Sequence, residues 1–434
     1  MLGAFGSPKS CQRAARAAGA MGAFALLAVH AAAAPGLTLA QAQQQALAHN
    51  ADVRIAAAQA EAAAAQLRAA HEFPNPVIGL STAKIATDVS GNGTTRGNRL
   101  LDRSYDSIVS LSQLFELGKR GPRQQSARAA QRAAEAQRDD ARRLVLQAVS
   151  QTYVAALEAR EESRVLAESA ASLRREAGLA AVRLAAGDLA ANDRMQIELA
   201  AGRLELDAAA SRHAATAAGI ALEILLGFPA ATGETELADA LGALPLPSAE
   251  LAGDGVAGTR PDVAAAEANV AKAEADLGLQ QRASFPDLTV SAQFERNPPD
   301  QPNTAGLGLS FPLPLWNRNG GAIRAARAAR ETAQAQLDKA RLQAAAEVAG
   351  SRSAFREARA RAAAFVEKLR PQSAAVAQTV AYSYEHGGAS LLELLAAGRN
   401  DNEVRIATAR AQADAAAAAF ALSAALNRPA PAQP

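Results

Sequence analysis

The chain contains itself twice, and this duplication constrains its fold more than any other feature. Ala51-Asp52-Val53 matches Pro261-Asp262-Val263, and Phe73-Pro74-Asn75 matches Phe285-Pro286-Asp287. Gly118-Lys119-Arg120-Gly121 takes the place of Asn317-Arg318-Asn319-Gly320. Gly187-Asp188-Leu189 takes that of Gly387-Gly388-Ala389, with Leu226 and Pro229 echoed by Leu426 and Pro429. Each half reads as helix, strand, loop, strand, long helix, glycine-containing tip and returning helix. The first repeat covers 35–229, with strands at about 77–86 and 105–116, a long helix at about 122–183 and a return helix at about 188–227. A Gly/Pro-containing linker follows at 230–259. The second repeat, 260–434, has strands at about 287–296 and 304–313, a long helix at about 321–384 and a return helix at about 389–427.

The helices are too long for an ordinary domain. No proline occurs between Pro122 and Pro229. A helix from Pro122 to Arg183 alone would be roughly 90 Å long at a rise of about 1.5 Å per residue. A second helical stretch runs from Gly321 to Asn427, interrupted only by Pro371. Shorter ones are expected from Leu39 to Glu72 and from Pro261 to Ser284. Of the 434 residues 118 are alanine and only 4% are aromatic, so the large side chains that fill a thick core are scarce. Alanine favours helix and lets helices approach closely. The formal net charge of +2 is made of scattered signs, without the basic stripe that nucleic-acid binding requires.

Between the helices lie short extended runs. Leu288, Val290, Ala292 and Phe294 alternate with Thr289, Ser291, Gln293 and Glu295. Leu307, Leu309 and Phe311 alternate with Gly306, Gly308 and Ser310. Val77–Ile85 and Ser107–Phe115 are less regular but similar in length. About 9–11 tilted residues cross a bilayer as a strand. Four strands alone would leave edges whose unpaired backbone groups each cost several kcal/mol in lipid, and closed barrels need at least about eight. Copies of the chain must therefore pool strands: two give eight and three give twelve. The long helices would continue the barrel as a helical conduit. The alternative is a pair of soluble hairpins capping a helical bundle, a periplasmic coiled-coil scaffold.

The first 34 residues read as a secretory signal. Lys9, Arg13 and Arg16 precede an apolar core from Ala20 to Val29, and Ala31–Ala34 supply small residues for cleavage. Removing 1–34 takes away three positive charges and no negative ones, so the net charge goes from +2 to −1. It also removes Cys11, the only cysteine. Cys11 precedes the apolar core, whereas a lipoprotein cysteine follows it. The remaining chain has no thiol and no segment suited to a transmembrane helix.

Over nearly its whole length after the signal the chain resembles the TolC family of outer-membrane efflux channels. The residues that carry the likeness are Leu37-Thr38-Leu39-Ala40-Gln41-Ala42, Phe73-Pro74-Asn75-Pro76, Arg260-Pro261-Asp262-Val263, and Tyr384 with Gly387 followed by Leu391-Leu392-Glu393-Leu394-Leu395. Two further motifs resemble the CzcC-like heavy-metal (cobalt–zinc–cadmium) branch. They are Phe115-Glu116-Leu117-Gly118-Lys119-Arg120-Gly121 and Phe311-Pro312-Leu313-Pro314-Leu315-Trp316-Asn317-Arg318-Asn319-Gly320. The resemblance implies a mostly α fold with membrane β. A homotrimer would form a twelve-stranded β-barrel, four strands per chain, continued by a periplasmic α-helical barrel. It also implies outer-membrane lipid around the barrel, a periplasmic membrane-fusion adaptor and an inner-membrane RND pump as partners. The cargo implied is heavy-metal cations such as cobalt, zinc and cadmium; multidrug efflux and type I protein secretion are the alternatives.

The resemblance also implies roles for residues at matching positions. Arg183, Leu184, Gly187 and Leu189 in the first tip, and Tyr384, Gly387, Ser390 and Leu391 in the second, are expected to face the adaptor. Asp193 and Glu393, 200 residues apart, would line the entrance, where copies of one carboxylate form a cation-attracting ring. Asp193 could equally pair with Arg194 or Arg183. Glu393 matches a family aspartate, but Ala396 stands where the family has a second acid. Lys119, Arg120, Arg318 and Trp316 mark the barrel–helix junction, Trp316 as an interfacial anchor. His49, His71, His213 and His386 are scattered without metal-ligand spacing. Nothing reads as a catalytic, cofactor-binding or resident metal site.

Overall fold

The computed structural model describes residues 36–83, 106–187, 189–244, 260–297 and 302–428. The expected signal segment 1–34, including Cys11, lies outside the described residues. So do Lys84, Ile85, Asp188 and the linker residues 245–259. The first half contains α1 (Leu39–His49), α2 (Ala51–His71), β1 (Val77–Ala83), β2 (Asp106–Phe115), α3 (Arg120–Ala186) and α4 (Ala191–Leu225). The second contains α5 (Pro261–Ala283), β3 (Leu288–Arg296), β4 (Thr304–Ser310), α6 (Gly320–Ala364), α7 (Arg370–Glu385) and α8 (Leu391–Ala425). No helix among the described residues is long and apolar enough to cross a membrane.

The expected helix from Leu39 to Glu72 is two helices. Asn50 is extended (φ −60, ψ 135), and its side chain accepts hydrogen bonds from the backbone N–H of Asp52 and Val53. An Asx N-cap thereby starts α2 where alanine-rich sequence alone reads through. Pro371, which interrupts the second helical stretch in sequence, does not break the long helix expected at about 321–384. Residues Phe365–Leu369 form one wide π turn, and Arg370 N–H reaches the Phe365 carbonyl. The wider turn accommodates a ring that would otherwise clash with the carbonyl four residues back. Gly320 to Glu385 is therefore one rod, matching the 67-residue α3. Each is about 100 Å long.

The strands form one antiparallel sheet in the order β1-β2-β3-β4. The two hairpins are thus joined through β2 and β3, with Phe115 opposite Leu288 and Leu111 opposite Ala292. Directly opposite residues share a face. One face carries Ile78, Leu80, Val109, Leu111, Val290, Phe294, Leu307 and Leu309. The other is dominated by Gly79, Ser110, Ser112, Ser291, Gln293, Glu295, Gly306 and Gly308.

The main core lies where α1, α3, α4 and α8 meet, with Leu39, Val149, Tyr153, Val154, Leu222, Leu226 and Phe420 buried. Along α8 the buried positions are largely alanine, which allows close helix packing. The Tyr153 hydroxyl donates to the Leu37 carbonyl or to Asp239 Oδ2, 2.7 and 2.8 Å away. Burial, then the bond to Asp239, pushes its pKa up. Glu223 at the end of α4 accepts from Thr232 N, Gly233 N, Thr235 N and Thr235 Oγ1. Burial alone would raise this carboxyl's pKa, but these hydrogen bonds together hold it below the ordinary value. Arg260, 2% exposed, pairs with Asp262 and Glu347 at the N-cap of α5, the position equivalent to Asn50.

Candidate functional site

Two places gather the sequence candidates. At the tips, α3 is capped by Gly187 (φ 84), and Gly387 (φ 76) follows the His386 cap of α7. A Cβ on either glycine would meet nothing within 4 Å, so glycine is required by backbone conformation rather than by space. Gly187 N–H returns to the Leu184 carbonyl, and Gly388 N–H to that of Ser383 at 2.7 Å. The two tips share one apolar cluster: Leu189, Tyr384 and Leu391 pack with Ala177, Ala180, Ile197, Ala201, Leu394 and Leu395. The Arg183 guanidinium lies 5.8 Å from the centre of the Tyr384 ring. Ile197 was not singled out from sequence, although its helical spacing of four from Asp193 would have found it; Leu394 appears there only as part of the family motif.

The two tip carboxylates differ. Glu393 closes a capping box: its carboxylate accepts from Ser390 N at 2.7 Å and Ser390 Oγ at 2.8 Å, and Ser390 Oγ accepts from Glu393 N. The backbone hydrogen bond from Ser390 holds its pKa below the usual carboxylate value. Ala190, the equivalent of Ser390, cannot cap α4, so Asp193 sits in an uncapped first turn. The pairing expected for Asp193 is not found. Arg194 reaches forward to Glu198 at 2.9 Å, the favoured spacing of four, and Arg183 turns to Tyr384.

At the strand–helix junction, Lys119 Nζ binds Asp287 Oδ2 at 2.8 Å, and Leu117 N–H donates to Asp287 Oδ1. Asp287 was visible only as the repeat partner of Asn75. Arg123 pairs with Glu116 and also donates to the Ala70 and Glu72 carbonyls. Arg120 donates to the His71 carbonyl at 2.7 Å and lies 3.8 Å over the Phe73 ring. Both arginines thus satisfy carbonyls left open at the end of α2, where the helix dipole also favours cations. In the second half Asn319, at the position of Arg120, serves the end of α5 by donating to the Gln280 carbonyl. Arg318 is exposed, and Trp316 is 94% exposed. Leu313 and Leu315 beside it are also bare. Among the described residues, no group of His, Cys, Asp and Glu is placed to hold a metal ion.

Comparison with known proteins fits this geometry. Residues 42–228 and 255–428 match the family described as Outer membrane efflux protein. The cobalt-zinc-cadmium resistance protein CzcC of Cupriavidus metallidurans is 26% identical over 344 residues, which is 78% of this chain and 80% of that protein. Among solved structures, the outer membrane protein VceC of Vibrio cholerae superimposes with a TM-score of 0.75 at 21% identity. That match covers 90% of this chain and 96% of the other. The open-state MtrE outer membrane channel of Neisseria gonorrhoeae gives 0.74 at 21%, covering 90% and 89%. CusC gives 0.75 at 18%, covering 89% and 91%.

Proposed function

From the premise that this chain belongs to the outer membrane efflux protein family, we propose that it is the outer-membrane conduit of a tripartite efflux system whose cargo is heavy-metal cations. The observation that carries the reading is a four-stranded sheet with an uncovered apolar face, mounted on helices about 100 Å long. Leu80 is 79% exposed and Leu307 89%. Water penalises such a face, whereas lipid does not. Lipid in turn requires that the outer sides of β1 and β4 find partners, since each open backbone group costs several kcal/mol there. Three copies supply twelve strands and close the sheet. The polar face of Ser110, Ser291 and Gln293 then lines the water-filled inside.

The helices carry the conduit through the periplasm. Their tips, with Arg183, Leu184, Gly187, Leu189, Tyr384, Gly387, Ser390 and Leu391, meet a membrane-fusion adaptor fed by an RND pump. Copies of Asp193 and Glu393 attract cations at the entrance, as acidic rings do in cation channels. Residues 1–34 act as the export signal, and the protein is not a lipoprotein. The likeness to the cobalt-zinc-cadmium resistance protein supports metal as cargo. The test is deletion of the gene, with sensitivity to zinc, cobalt, cadmium, copper and silver compared with sensitivity to hydrophobic drugs. Increased metal sensitivity is expected. Sensitivity to drugs alone overturns the cargo, and recovery of a soluble monomer without detergent overturns the channel.

A further inference from the structure

We infer that the base of α6 is a binding surface for anionic phospholipid headgroups, formed by Arg318, Arg324 and Arg327 beside the bare loop of Leu313, Leu315 and Trp316. This rests on the reading that the sheet stands in a bilayer. It adds to that reading a preference for lipids of one charge.

The two halves of the chain use their junction cations differently. In the first half they are engaged internally. Lys119 binds Asp287, Arg123 pairs with Glu116, and Arg120 meets the His71 carbonyl and the Phe73 ring. In the second half Asn319 serves the end of α5, which leaves Arg318 uncommitted. From Phe311 to Arg330 the chain carries four arginines and no acid. All four are exposed, and none has an ion pair among the described residues. Further along α6 arginines are paired again, Arg341 with Glu267 at 2.8 Å and Arg361 with Glu357 at 2.6 Å. Arg324, Arg327 and Arg330 follow one another at intervals of three, where side chains are neighbours on a helix and like charges repel. An anion from outside the chain offsets that repulsion.

The place of the patch identifies the anion. Helical side chains lean toward the N-terminus of their helix, so Arg324 and Arg327 lean toward the end of the strands. They stand about 6 and 10 Å along α6 from Gly320. The headgroup layer outside the hydrocarbon is about 5–8 Å deep on each side of a bilayer, and a long arginine stem lets the guanidinium reach a polar group at some distance. Exposed Leu313, Leu315 and Trp316 lie between β4 and Arg318. Apolar side chains for the acyl boundary thus adjoin cations for phosphate, the combination that binds an anionic membrane surface. Guanidinium groups hold phosphate oxygens bidentately.

Trp316, the only tryptophan, reports on this patch directly. The full chain is reconstituted in phosphatidylcholine vesicles containing either brominated phosphatidylglycerol or brominated phosphatidylcholine at the same mole fraction. Quenching of Trp316 should show a local excess of the anionic lipid of at least about tenfold. Arg318→Ala with Arg324→Ala and Arg327→Ala should abolish the excess, and lysine at the same three positions should keep most of it. Arg341→Ala, which removes a paired arginine further along the helix, should leave it intact. Equal quenching by the two lipids, or an excess that survives the triple alanine variant, overturns the inference while the channel stands. Relief of the excess by inorganic phosphate also overturns it, because the arginines then serve a free anion. So does loss of the oligomer by the triple alanine variant in detergent sedimentation, because the face then belongs to a second copy. Recovery of the parent as a soluble monomer without detergent removes the channel reading itself.

Discussion

A charge placed on one side of the sheet should be far more damaging than the same charge one residue further along. Ile78, Leu111, Ala292 and Leu307 form a row across all four strands, directly opposite one another on the apolar face. The next row, Gly79, Ser110, Gln293 and Gly306, faces the other way. Leu307→Arg puts a guanidinium into hydrocarbon near mid-strand, at about 2–4 kcal/mol per copy. In the proposed barrel of three copies this would amount to about 6–12 kcal/mol. Gln293→Arg, whose side chain points into water, should cost no more than about 1 kcal/mol, because channel-facing substitutions alter selectivity rather than insertion. The assay is urea unfolding of protein folded into phospholipid vesicles, followed by the fluorescence of Trp316, the only tryptophan. The Leu307→Arg midpoint should fall sharply while that of Gln293→Arg stays near the parent. Equal shifts, or the larger one at Gln293, would refute the assignment of the two faces.

Further outcomes are expected at other positions. Glu223→Ala leaves three backbone N–H groups of residues 232–235 without their acceptor; because Thr232 is exposed and Gly233 and Thr235 are half-buried, water can replace part of the loss, and a cost of about 1–3 kcal/mol in all is expected, measurable as a lower unfolding temperature. Because the Glu223 pKa is lowered by folding, its contribution is present above the ordinary carboxylate value and is lost as pH falls through the folded value. A stability–pH profile of the parent that Glu223→Gln flattens in that acid range confirms it. Ser390→Ala removes the second-half capping box at about 1 kcal/mol, whereas Ala190→Ser should gain several tenths of that by supplying the missing cap to α4; unchanged thermal stability in both would count against cap control of the tips. Brominated phospholipids should quench Trp316 in vesicles if its 94% exposed ring meets the bilayer interface, and quenching by aqueous iodide alone would contradict this. Planar-bilayer recordings of Asp193→Asn with Glu393→Gln should show a clear loss of cation preference, and unchanged selectivity would rule out an acidic ring.

Much of this molecule is readable from local pattern because local physics made it. Strict alternation at Leu288–Glu295 can only serve a two-faced strand, and a glycine after a long alanine-rich run marks a helix end. Positions 187 and 387 carry positive φ, as such ends require. The family and fold implied by those motifs are the ones the chain has. Side-chain partnership was less legible. Glu393, read as an entrance charge, also closes a cap, a pairing visible in the spacing Ser390 to Glu393 but outweighed by the repeat. The sequence marks Arg120 at the strand–helix junction, yet the carbonyl acceptors of Arg120 and its neighbour Arg123 lie 49 to 53 positions away.

The sequence by itself determined the repeat: two matching halves, two long rods, paired short strands and glycine tips. Each follows from spacing within a few residues, where backbone sterics and amphipathicity act. Tertiary structure decided what joins to what. Only the fold brings β2 beside β3, so that two hairpins become one sheet with one apolar face. Only packing lets a π turn absorb Pro371 and places Asp287 under Lys119. These are contacts between residues distant in the chain, and no local periodicity encodes which of several equivalent partners will be met.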